Sequence, residues 1–104
     1  MPKRPAKRKL ADSVFSFLKS IPCGKVSTYA RIAKTVGTHP RVVASILRNN
    51  KNPNTIPCYK VVMSDGLIGG YSGNGGVREK IRRLRSDGVT VKNGKVSKSC
   101  FYSP

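Results

Sequence analysis

Cys58 is the residue best equipped for chemistry, lying in the run Ile56-Pro57-Cys58-Tyr59-Lys60-Val61-Val62. A thiol becomes a useful nucleophile only as thiolate, a form favoured by nearby cations, a helix N-terminus or a hydrogen-bonded base. Here Pro57 stiffens the approach, Tyr59 offers a proton relay and Lys60 offers a cation. A cysteine at the start of a strand is equally at home as a small apolar core residue, and local rules leave both readings open. Downstream, Gly69-Gly70-Tyr71-Ser72-Gly73-Asn74-Gly75-Gly76 lacks the Lys-Ser/Thr ending of a phosphate-binding P-loop. It reads instead as a mobile loop whose backbone can approach a ligand closely.

Cys23, Cys58 and Cys100 are odd in number and widely spaced, with His39 the only histidine. Neither a disulfide framework nor a zinc site is natural. Free thiols imply a reducing compartment. Cys23 and Cys100 are expected to be structural thiols, and His39 a turn residue rather than a catalytic base.

Twenty-one Lys and Arg stand against four Asp and Glu, a formal charge of +17 on 104 residues. A polyanion is the expected partner. Nucleic acid fits better than a membrane, because no amphipathic helix rich in Trp or Phe is available for insertion. Ribosomal and chromatin proteins share this composition, so charge alone assigns no function. The length suits one domain, and neither a long apolar stretch nor a signal-peptide pattern occurs. The expectation is a soluble intracellular protein, of cytoplasm or nucleoid, or of the nucleus if eukaryotic.

The elements that must position Cys58 follow from periodicity. Residues 1–9 are almost wholly Lys, Arg, Pro and Ala and read as a flexible basic arm. From Leu10, the apolar residues Val14, Phe17, Leu18 and Ile21 predict a helix closed by Pro22 and Gly24. Ser27 or Thr28 can cap a second helix through Tyr29, Ile32, Ala33 and Val36 that ends at Gly37. A third starts at Arg41, with Val42, Val43, Ile46 and Leu47 on its apolar face. The last two read as helix-turn-helix. An ordinary bundle would show similar spacing, but Arg41 and Arg48 on the final helix favour DNA contact.

Beyond a polar loop, Lys60–Met63 has strand character, Asp65-Gly66 signals a turn and Val77–Arg85 restores helical spacing through Val77, Ile81 and Leu84. The charges on that last helix, Lys80 among them, read mostly as a solvated face. Val89, Val91 and Val96 around Asn93-Gly94 predict a hairpin. The fold class expected is α+β, a small helical domain with a winged helix-turn-helix-like motif, a short active-site strand and a C-terminal hairpin. It forms one domain over residues 10–104, with no internal repeat.

With these motifs in order, the sequence resembles the O6-alkylguanine-DNA alkyltransferases. The Cys58 run is similar to their Pro-Cys-His-Arg-Val signature. It is flanked by Ile21-Pro22-Cys23-Gly24-Lys25-Val26, Thr28-Tyr29, Ile32-Ala33, Arg41, Leu47-Arg48-Asn49-Asn50 and Gly69-Gly70-Tyr71-Ser72-Gly73. The resemblance runs from about Val14 to Gly88. It implies that Cys58 accepts the alkyl group from guanine O6 in one irreversible displacement, without cofactor or metal. The implied partner is double-stranded DNA containing O6-alkylguanine, with no membrane and no obligate protein partner.

The resemblance also implies roles for other residues. Arg41 would enter the base stack, and Tyr29 would help rotate the nucleotide and donate to guanine N3. Thr28, Arg48 and Lys60 would join them in contacting DNA. Asn50 would order the turn before the active-site strand, and the Cys58 and Val61 carbonyls would accept from the guanine amino group. Tyr71, Ser72 and Gly73 would bring a backbone N–H to O6. Flipping is required because an alkyl group inside duplex DNA is out of reach.

Two departures stand out. Tyr59 occupies the place of the family's histidine, whose unperturbed basicity differs widely from a phenol's. Asp87 takes the place of its glutamate partner, if residues around Asn74 to Gly76 are a loop insertion. The N-terminal domain of many relatives is expected to be absent. Two other readings remain open: a non-catalytic alkyltransferase-like protein that flags lesions, and a helix-turn-helix architectural or regulatory protein without chemistry.

Overall fold

The computed structural model describes residues 7–50, 55–70 and 75–102. Most of the basic arm, and the Tyr71-Ser72-Gly73 triplet, lie outside the described residues. Helix α1 spans Lys7–Ser20. It starts ahead of Leu10, so Lys7, Arg8 and Lys9 belong to the helix and not to an arm. Leu10, Val14 and Leu18 recur on its buried face, with Ile21 just beyond its end.

Strand β1 (Ser27–Thr28) leads directly into α2 (Tyr29–Val36), where the Thr28 side chain accepts from Arg31 N at 3.0 Å. Such a cap satisfies one of the orphan N–H groups of the first turn. Gly37, at φ 81°, closes α2 in the left-handed conformation that glycine adopts without strain. After two residues α3 (Pro40–Arg48) begins. His39 caps it, its Nδ1 accepting from Arg41 N at 3.2 Å, and Pro40 supplies a first residue with no N–H to satisfy. Helices α1, α2 and α3 pack on one another around Val14, Leu18, Ile32, Val43, Ile46 and Leu47.

Cys58–Lys60 forms a 3-10 turn, and only Val61–Val62 is strand β2. The longer strand expected over Lys60–Met63 is therefore cut short. The backbone turns tightly there, with Cys58 N donating to Ile56 O and Lys60 N to Pro57 O. Strand β2 pairs parallel with β1, Ser27 opposite Val61 and Thr28 opposite Val62.

A second core gathers Val26, Val62, Ile68, Leu84, Val89, Val91 and Val96 beneath helix α4 (Gly76–Ser86). Val77, expected on its inner face, is 45% exposed, whereas Lys80 is 1% exposed. Strands β3 (Val91–Lys92) and β4 (Lys95–Val96) form the expected hairpin, with positive φ at both Asn93 and Gly94. A final 3-10 turn covers Lys98–Cys100. The described residues thus combine four α-helices with two small sheets, an α+β fold. Among the described residues no helix is long and apolar enough to cross a membrane.

Candidate active site

The two cores meet at the Cys58 turn, and a cleft of about 570 Å³ opens there. Its walls come from α2 (Tyr29), α3 (Pro40, Arg41, Ala44, Leu47, Arg48) and the chain around the thiol (Cys58, Met63, Gly70). Cys58 is 7% exposed and lines this opening. The cleft joins apolar walls to a few polar groups, the usual make-up of a small-molecule site. Arg41 and Arg48 stand exposed along the α3 wall.

Several of the expected site residues converge here. Tyr29 opens α2, placed by the Thr28 cap. Burial pushes the Tyr29 phenol up from its ordinary value, negative charge on Cys58 adds to this, and Arg48 opposes it. The phenol therefore stays a neutral hydrogen-bond donor at physiological pH. Asn50 Nδ2 donates to Ile56 O at 3.2 Å, tying the end of α3 to the turn that carries Cys58. The Val61 carbonyl lies behind that turn, where it accepts from Lys80 Nζ at 2.7 Å.

Other expectations need correction. Lys60 is 4% exposed and turned inward; its ammonium donates to the Ile21 and Pro22 carbonyls at 3.2 and 3.0 Å and pairs with Asp87 Oδ2 at 3.0 Å. It is not placed to meet a phosphate. Thr28 is also buried, its oxygen committed to the α2 cap, so it supports Tyr29 rather than reaching outward. Cys23 is exposed and does not serve as a packed structural thiol, whereas Cys100 is partly buried against the second core.

Tyr59 and Asp87, the pair expected to relay a proton, share a separate hollow of about 320 Å³ with Arg82, Arg83 and Ser86. None of these residues lines the Cys58 cleft. Tyr59 packs with the second core and Cys58 with the first. Asp87 also accepts from Gly24 N at 3.0 Å, so its carboxylate holds the Pro22–Gly24 turn and Lys60 together.

The group that periodicity misassigned is Lys80. Its ammonium lies behind the cleft and donates to three carbonyls, Val61 at 2.7 Å, Ile68 at 2.6 Å and Gly70 at 3.1 Å. Three donors are all that an ammonium carries. Burial lowers it to about 8, while negative charge on Cys58 acts in the opposite direction. The available signal was its position four residues before Leu84, on the buried side of α4.

Comparison with known proteins places these features in context. The model for the 6-O-methylguanine DNA methyltransferase, DNA binding domain, matches residues 9–89. A bifunctional methyltransferase/endonuclease of Picrophilus torridus is 46% identical over 89 residues, 84% of this chain and 29% of that protein. A methylated-DNA–protein-cysteine methyltransferase of Methanothermobacter thermautotrophicus is 42% identical over 79 residues, covering 76% of this chain and 44% of the relative. The chain spans less than half the length of either. The crystal structure of S. pombe Atl1 in complex with damaged DNA containing O6-carboxymethylguanine superposes with a TM-score of 0.81 at 25% identity, covering 100% of both chains.

Proposed function

The chain belongs to the family of the 6-O-methylguanine DNA methyltransferase DNA-binding domain, and on that footing we propose that it repairs DNA by accepting an alkyl group from O6-alkylguanine onto Cys58. The observation that carries this reading is the buried Cys58 thiol at the floor of a cleft whose rim bears Tyr29, Arg41 and Arg48. A flipped guanine entering the cleft would bring its O6-alkyl carbon to the sulfur. The thiolate lone pair forms the C–S bond as the C–O6 bond breaks, and the bonding electrons leave with guanine, which takes up a proton from solvent. No cofactor is consumed, and the thioether left on Cys58 ends the cycle after one event.

The supporting residues have distinct parts. Arg41, near the N-terminus of α3, fills the gap left in the base stack and offsets the unstacking cost of a few kcal/mol. Tyr29, neutral by virtue of its burial, donates toward the flipped base. Arg48 contributes positive charge beside both. Excess basic charge over the surface supplies the sequence-independent attraction to the duplex.

The match to Atl1 over the whole of both chains favours one second reading, lesion recognition without transfer. A protein that only marks lesions has no use for a thiol at the cleft floor, so Cys58 favours repair. Incubation with a duplex carrying O6-methylguanine, followed by mass spectrometry, separates the two. Transfer adds one methyl group to the Cys58 peptide and stops at one per protein. Saturated binding with an unmodified Cys58 would overturn repair in favour of recognition.

A further inference from the structure

The C-terminal hairpin lies beyond residue 89, where the family match ends, and it has no part in the cleft itself. It is nevertheless built onto the cleft rim. Met63 lines the cleft, and its N–H donates to Leu67 O at 2.8 Å across the turn through Gly66. Leu67 bridges antiparallel to Lys95, Val96 N donates to Gly66 O at 2.8 Å, and Lys95 in turn stands opposite Lys92. Directly opposed residues share a face of the sheet. Leu67, Lys95 and Lys92 therefore form one outward row, all exposed, while Ile68, Val96 and Val91 point into the second core.

Two lysines opposed at the end of a hairpin repel each other, which costs stability. No carboxylate pairs with them. Among the described residues the ion pairs join Lys60 to Asp87 and Arg82 and Arg83 to Glu79. Asp65, on the turn through Gly66, has Oδ1 accepting from Leu67 N at 3.1 Å. The Lys95 stem lies across that same turn, its Cγ 3.6 Å from the place a Gly66 Cβ would take. The row is also braced from behind, with Arg85 Nη2 donating to Val91 O at 3.0 Å and Lys25 Nζ to Ser99 O at 2.9 Å. A fixed pair of cations without countercharge, continuous with the cleft rim, complements a backbone that carries a negative charge about every 3.4 Å along each strand.

We infer that the β3–β4 hairpin is a second DNA-contacting element, in which Lys92 and Lys95 hold backbone phosphates to one side of the nucleotide that enters the Cys58 cleft. This rests on the duplex-binding part of the proposed function and not on alkyl transfer. Arg41 and Arg48 hold the duplex from the α3 wall, and the hairpin holds it from the wall that carries Met63. Two strand spacings of about 4.8 Å separate Leu67 from Lys92. At about 3.4 Å per base pair the hairpin reaches roughly three pairs further along the duplex than the rim does.

The test is hydroxyl-radical footprinting on a duplex carrying one O6-methylguanine, with the double variant Lys92→Gln, Lys95→Gln beside the parent protein. Both side chains are exposed and mutually repelling, so the variant should keep the parent's thermal midpoint. The parent should protect more of the duplex on one side of the lesion, and the variant should lose about three base pairs of that protection. Its logarithmic salt slope should fall by about 1.8, for two phosphates no longer neutralised. If the double variant does not fold, Lys95→Gln alone should lower the slope by about 0.9. Lysines that only keep the β3 edge from pairing with other chains would leave footprint and slope in place, and that result would overturn the inference. A loss of protection spread evenly over the site would overturn it too. Absence of any protection by the parent would overturn duplex binding itself, whereas an unmethylated Cys58 with the hairpin-dependent footprint intact would overturn the repair reading alone.

Discussion

Lys60 Nζ and Asp87 Oδ2 lie 3.0 Å apart in the interior, joining the turn that carries Cys58 to the C-terminal end of α4. Gly24 N donates to the same carboxylate oxygen, so one acid ties together three separate stretches of chain. Removing it strands a buried ammonium on two carbonyls. Asp87→Ala should destabilise the fold by about 3 kcal/mol, read from urea denaturation. A loss below about 1 kcal/mol would mean that the Ile21 and Pro22 carbonyls suffice for Lys60.

Lys80 makes stability depend on alkaline pH. Its folded value of about 8 lies below the ordinary 10.5, so between these limits the unfolded chain binds more protons than the folded one. Stability therefore rises with pH from about 8 to 10.5, by at most about 3 kcal/mol from this group. Denaturation curves across that range should show a rise in the parent protein that is missing from Lys80→Met. Equal slopes in the two proteins would contradict this linkage.

Arg41 and bulk affinity should separate. Arg41 stands exposed on the cleft wall near the start of α3, whereas attraction to the duplex draws on many surface cations. Arg41→Ala should lose most of the fluorescence rise of a flipped 2-aminopurine probe, yet change the logarithmic salt slope of binding by about one phosphate, roughly 0.9. A variant that flips normally would remove Arg41 from the stack.

Gly66 should tolerate no side chain. Its φ is +91°, and a Cβ there would come within 2.6 Å of the Val96 carbonyl oxygen, while its own carbonyl accepts from Val96 N at 2.8 Å. Strain at such a position is of order 1–3 kcal/mol, and the backbone clash adds to it. Gly66→Ala should lower the thermal midpoint markedly. Gly94→Ala offers a comparison: its φ is also positive, but nothing lies within 4 Å of its added Cβ, so its loss should be smaller.

The contrast between Thr28 and Lys80 shows what the sequence could disclose. The Thr28 cap, the Gly37 stop and the Asn93-Gly94 turn are local, each decided by a few neighbouring residues, and each was legible. Cys58 with Tyr29, Arg41 and Arg48 emerged as a group because ordered motifs carried information that single residues lack. Strand β1 escaped because two residues have no period, and its existence depends on Val61–Val62 far along the chain. Lys60 and Lys80 were misplaced for a related reason. A lysine's burial is set by where distant carbonyls and carboxylates fall, so both read as surface cations.

Strand β1 is also held from its other side. Val26, just ahead of it, accepts from Tyr102 N at 2.7 Å and donates to Cys100 O at 2.8 Å. During synthesis α1, α2 and α3 leave the ribosome well before these residues do. The segment that seats the Cys58 turn gains its last backbone bonds only when the Cys100–Tyr102 stretch docks. A nascent chain should thus acquire α1, α2 and α3 early and a correctly seated Cys58 turn late, once the Cys100–Tyr102 stretch has been made and has docked.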